Sequence, residues 1–261
     1  MKSFAGRDFL TLQDYTKKEI VRILDVADDF KARLERNDPH ELLRGRTVAM
    51  VFEKPSTRTR LSFQVAGAQL GVSTFLMDAG SMQLSRGESI SDTARVIDQY
   101  CDALVIRTFE QQRIEAYASY MEKPVINGLT NDRHPLQLLA DLQTIREKKG
   151  RLHNLKIGYV GDVWNMAYSW AIMCAIFGLE MTYAVPQGYA FDQAVKKWVD
   201  DKNRETGGRF TITDDLKTAM TDVDIVVGIT FTSMQQKDLP PEEKAGKLRD
   251  FMLSQINSKV K

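Results

Sequence analysis

Residues 54–63 read KPSTRTRLSF. Ser56, Thr57, Arg58, Thr59 and Arg60 place hydroxyls and guanidinium groups between an apolar run, TVAMVF (47–52), and a helix-like stretch, RLSFQVAGAQLG (60–71). Backbone N–H groups at a helix start have no intrahelical partners, and the dipole there favours an anion. Hydroxyls add donors, and a guanidinium fork fits a phosphate. A Ser/Thr N-cap with solvated arginines is the plainer alternative. So many donors at one strand end point instead to an anion site.

Two further apolar runs deliver polar groups in the same way. ALVIRT (103–108) ends in Arg107 and Thr108, and PVING (124–128) leads through GLTNDR to His134, Pro135 and Gln137. Alone, His134 reads as a structural histidine or a helix cap. With a guanidinium, hydroxyls and an amide, it joins a set able to bind an oxyanion and polarise a carbonyl. No carboxylate pair, Ser-His-Asp order or Cys/His metal spacing stands beside it. GYVGD (158–162) lacks both the Gly-x-Gly-x-x-Gly spacing and a Walker lysine. Neither metal nor cofactor is expected.

These residues need a scaffold that gathers strand ends, since ligands of open parallel sheets sit beyond the carboxyl ends of the strands. The pattern supplies one. Strand-like runs at 47–52, 73–78, 103–108 and 124–128 alternate with helical spacing at 60–71, 91–101 and 110–121. After KKGRLHN a second series follows, with strands at 156–162, 181–186, 210–214 and 224–230 and helices at 164–178, 190–203 and 215–221. Such alternation implies an α/β fold of two doubly wound parallel-sheet domains, 1–150 and 151–261. Residues 134–150 form the joining helix, and 12–36 an amphipathic opening helix.

Bulk properties narrow the function. The 261 residues carry a net charge of +1, with 43% hydrophobic and 27% charged residues. That balance argues against nucleic-acid binding, and no run is long enough to span a membrane. No apolar signal core opens the chain. Cys101 and Cys174 lie far apart in apolar surroundings, as buried free thiols of a reducing cytoplasm would.

FEKPSTRTRLSF, QLSRGESISDTARV, VIRT, PVINGLTNDRHPLQLLADLQTI and YVGDVWNMA together resemble the aspartate/ornithine carbamoyltransferase family. The segment RGESISDTARV is more similar to the ornithine branch. The resemblance implies carbamoyl phosphate as first substrate, an amine as second, no cofactor and a homotrimer or a multiple of one. It implies that Ser56, Thr57, Arg58 and Thr59 hold the phosphate, and that Arg107, His134 and Gln137 approach the carbamoyl group with Thr59 near its oxygen. Gln83, in a loop (80–89) that in this family reaches a neighbouring subunit's site, is implied as a cross-subunit contact, with Arg86 behind it.

On the amine side the resemblance implies Asn165, Ser233 and Met234. Here the sequence departs from the family pattern. Trp164 and Tyr168 stand where amides are usual, Ile229 where an aspartate is, and Gln235 where a glycine is. The second domain also reads as shortened, ending before the family's His-Cys-Leu-Pro loop and terminal helix. Two readings stay open: a carbamoyltransferase, ornithine-type by resemblance, or a non-catalytic relative that binds carbamoyl phosphate or a full-length partner subunit.

Overall fold

Runs rich in β-branched and large apolar residues form parallel strands here, those at 47–52, 103–107 and 156–160 mostly buried on both faces and those at 73–78 and 209–213 largely exposed. The computed structural model describes residues 3–78, 80, 82–161, 163–185 and 191–229. The first series comprises α1 (Lys17–Glu35), β1 (Thr47–Phe52), α2 (Thr57–Leu70), β2 (Ser73–Asp78), α3 (Ile90–Tyr100), β3 (Ala103–Arg107), α4 (Gln111–Tyr120) and β4 (Val125–Leu129). α5 (Pro135–Lys149) follows. The second series comprises β5 (Lys156–Val160), α6 (Asn165–Phe177), β6 (Glu180–Ala184), α7 (Gln193–Thr206), β7 (Arg209–Thr213), α8 (Leu216–Met220) and β8 (Ile225–Gly228). All described strand pairs are parallel, in the orders β2-β1-β3-β4 and β7-β6-β5-β8. Two compact units divide within α5, between Gln143 and Thr144.

The period-two alternation of side chains splits the first unit's core. Ala49, Val51, Leu104 and Ile106 pack with Ile114 and Tyr117 in one apolar cluster. Met50, Phe52 and Val105 form another with Val48, Phe63 and Ile126. The free edge of β4 is covered: Phe9 N–H donates to Val125 O (2.8 Å), and Asn127 N–H to Phe9 O (2.9 Å).

The opening helix starts later than its apolar stripe suggests. Residues Leu12–Asp14 form a 3-10 turn, and the α-helix begins at Lys17. A capping box sets the start. Thr16 Oγ1 accepts from Glu19 N–H (3.3 Å), while the Glu19 carboxylate accepts from Thr16 N–H (2.8 Å).

Candidate active site

In the first sheet the chain runs outward from β1 to β2, then crosses to β3 on the other side. The crevice of such a sheet opens where the order reverses, beyond the ends of β1 and β3. Register aligns those ends: Phe52 pairs with Arg107, and Arg107 with Leu129. Glu53 N–H donates to Arg107 O (2.9 Å) and Thr108 N–H to Leu129 O (3.0 Å). The loops that follow therefore leave side by side.

The β1 loop turns into α2 within four residues. Ser56 is the N-cap, its hydroxyl accepting from Thr59 N–H at 3.2 Å. The capping role and the anion reading thus share one residue, and Thr57, Arg58 and Thr59 occupy the first turn. Lys54, Ser56, Thr57, Arg60, Gln64 and Asp78 line a cavity of about 740 Å³. Arg60 is committed elsewhere: it pairs with Asp78 (2.6 Å) and lies 5.1 Å over the Phe52 ring. Arg58 stays exposed.

Arg107 is a buried cation, only 5% exposed. Its Nε has no hydrogen-bond partner among the described residues. Such a donor is costly unless an acceptor meets it. Burial and then the nearby Arg58 charge push its pKa below the ordinary guanidinium value. Register between β3 and β4 shifts at Ile106/Arg107, with Gly128 as the extra residue on β4. A Cβ on Gly128 would sit 3.1 Å from Ile106 O and 3.5 Å from Arg107 Cβ. The glycine lets β4 close against Arg107 while the bulge re-aims the strand end.

His134 immediately precedes α5. Burial, reinforced by the Arg107 charge, pushes its pKa down to about 4. At neutral pH it is an uncharged imidazole, able to donate one hydrogen bond. One turn along, Gln137 Nε2 donates to Asp141 Oδ1 (3.1 Å), and burial raises the Asp141 pKa. Arg58, Arg107 and His134 are thus brought into one electrostatic cluster.

Glu53 and Lys54 were legible as letters of FEKPSTRTRLSF but not as site residues. The Glu53 carboxylate accepts from Thr108 Oγ1 and from Arg113 Nε (2.8 Å). Lys54 is 6% exposed, donates to Asn131 Oδ1 and stacks over the Phe109 ring at 4.6 Å. A charge directly after a buried strand end, just before Pro55, was the available signal.

Gln83 sits exposed on a short 3-10 helix (Gln83–Arg86), outside the cavity lining. In the second unit Asn165 opens α6, directly after Trp164 as N-cap. Ile229 N–H donates to Val160 O (3.1 Å), where β5 and β8 end together. Gly161 adjoins it with φ +151°, and an added Cβ there would meet Ile229 Cβ at 2.8 Å. Tyr168 packs edge-on against Phe191 at 4.9 Å. Ser233, Met234 and Gln235 lie outside the described residues. Among the described residues no cluster of three or more His, Cys, Asp or Glu could hold a metal ion, and no helix is long and apolar enough to cross a membrane.

Known proteins decide between the two readings. Residues 7–147 match the model of the carbamoyl-P binding domain of aspartate/ornithine carbamoyltransferases, and residues 153–260 match the Asp/Orn binding domain. This chain belongs to the aspartate/ornithine carbamoyltransferase family. It is a carbamoyltransferase. The anabolic ornithine carbamoyltransferase of Pyrococcus furiosus is 44% identical over 252 residues, which cover 97% of this chain and 80% of that protein. A solved structure of ornithine carbamoyltransferase from the same organism aligns at TM-score 0.89 and 43% identity, over 96% of this chain and 79% of that one. The anabolic enzyme of Campylobacter jejuni aligns at TM-score 0.87 and 35% identity, covering 94% and 79%. The non-catalytic reading finds no support among these relatives.

Proposed function

We propose that this carbamoyltransferase transfers the carbamoyl group of carbamoyl phosphate to ornithine, giving citrulline and phosphate. The observation that carries the site assignment is the meeting, at the switch point of the first sheet, of a helix-start anion cradle with a buried guanidinium and a neutral imidazole. Ornithine as the acceptor rests on the relatives, which are named for it.

The reaction needs little more than positioning and fixed charge. Ser56, Thr57, Arg58 and Thr59 hold the phosphate at the start of α2. The side-chain amine of ornithine attacks the carbonyl carbon, a C–N bond forms, and negative charge grows on the carbonyl oxygen. Arg107, with His134 and Thr59, donates hydrogen bonds to that oxygen. Gln137 holds the carbamoyl amino group. The C–O bond to phosphate then breaks, and the amine's proton leaves with the phosphate. His134 acts as an uncharged donor, which costs no proton transfer at neutral pH.

Asn165, Ser233 and Met234 take the amino-acid end of ornithine, and Gln83 completes the site of a neighbouring copy in a homotrimer. Sedimentation at three times the chain mass of 29.7 kDa checks the assembly. Substrate is tested by ureido-product formation from carbamoyl phosphate and a panel of ornithine, N-acetylornithine, putrescine, lysine and aspartate. Citrulline from ornithine is the expected product. A ureido product from another amine alone would reassign the acceptor.

A further inference from the structure

Three strand-end loops of the first unit meet at one buried ammonium that the proposed chemistry does not use. Lys54 follows β1. It donates to Asn131 Oδ1, in the loop after β4, and lies 4.6 Å over the ring of Phe109, in the loop after β3. Asn131 N–H in turn donates to Phe109 O at 2.6 Å. One side chain therefore closes a ring of contacts through the loops that present Ser56–Thr59, Arg107 and His134.

We propose that Lys54 is a positioning residue for carbamoyl phosphate: its ammonium fixes the spacing between the phosphate cradle and the Arg107–His134 pair by tying the three loops together. The inference rests on the carbamoyl phosphate reading of this site. A buried ammonium needs such a purpose, because it is expensive where carboxylates do not neutralise it. The charged groups facing Lys54 are Arg107, which repels it, and Asp132, Glu110 and Glu53, which attract it. Glu53 is already occupied by Thr108 and Arg113. Burial first, and Arg107 second, bring the lysine's pKa down to about 8. The ammonium is thus present below about pH 8 and lost above it. A neutral amine gives up the attraction to the ring and becomes a weaker donor to Asn131.

The test is calorimetric binding of carbamoyl phosphate, without amine, between about pH 7 and about pH 9. The parent should lose affinity about tenfold as the pH rises through 8. Lys54→Arg keeps its charge over this range, and should bind with a flat profile. Lys54→Met should bind about tenfold more weakly at pH 7, also with a flat profile. Asn131→Ala should show a similar loss, and Lys54→Met/Asn131→Ala no more than the larger single loss. A flat parent profile, or additive losses in the double variant, overturns the inference. If Lys54→Met does not fold, the parent and Lys54→Arg profiles still decide. Failure of the parent to bind carbamoyl phosphate at any pH is a different result, and it overturns the functional reading itself.

Discussion

Each unit builds a four-stranded parallel sheet, in the orders β2-β1-β3-β4 and β7-β6-β5-β8, and the two spend their strand ends differently. In the first, Lys54, Arg107, Thr108, Asn127 and Thr130 are all buried at or near the ends of β1, β3 and β4. In the second, the equivalent reversal point between β5 and β8 brings together Gly161 and Ile229, and the helix that follows β5 is buried and apolar from Trp170 to Phe177. Buried charge opposes folding and persists where it has a use. Buried apolar surface supports folding directly. The contrast supports the proposed division, with transition-state chemistry in the first unit and shape in the second.

Arg107→Met offers the largest break. Removing the buried donor should lower kcat by about a thousandfold, because its orphaned Nε has no other role among the described residues. Steady-state kinetics check it, and a loss under threefold would dissolve the contrast. Next in size, His134 sharpens it through pH. The folded protein holds the imidazole near pKa 4, whereas the unfolded chain takes up a proton from about pH 6.5. Stability should therefore fall as pH drops from 6.5 towards 4, and His134→Gln should flatten that fall in thermal melts. The rate should show no acid limb near 6.5 from this group.

Gly161→Ala should act on the second unit alone. Its positive φ and the 2.8 Å approach to Ile229 predict a loss of about 2 kcal/mol in stability, read by denaturant titration, with carbamoyl phosphate affinity unchanged. Lys54→Met carries the smallest effect on stability and the opposite sign. The folded-state pKa lies below the unfolded value, so the charged form is disfavoured by folding below about pH 8. Removing that charge should raise stability by about 1 kcal/mol at pH 7 while weakening binding.

Much of this division was legible in the residues. β1 and β2 coincide with the apolar runs at 47–52 and 73–78, because both are bounded by polar residues and turn signals. Elements of the second unit drift by one to three residues, as in α7, which begins at Gln193 where the spacing suggested 190. The start of α1 was missed because an apolar stripe continues through Leu12, while the Thr16–Glu19 capping box is a local hydrogen-bond signal that periodicity does not carry. Among site residues, the Ser56–Thr59 string, Arg107 and His134 stood out by type and place. Lys54 did not, since a lysine in a loop reads as solvated until its partners, Phe109 and Asn131, are known to lie across the sheet. Gly128 read as part of a strand; only the register of β3 against β4 reveals the bulge.

The central claim is that one cluster divides its labour, with the start of α2 holding phosphate and the ends of β3 and β4 acting on the carbonyl oxygen. The direct test compares carbamoyl phosphate affinity and turnover in Arg58→Ala and His134→Ala. The account predicts that Arg58→Ala weakens binding at least tenfold, and that His134→Ala lowers kcat about a hundredfold with affinity nearly unchanged. Unchanged binding in the first variant, or unchanged turnover in the second, would contradict it.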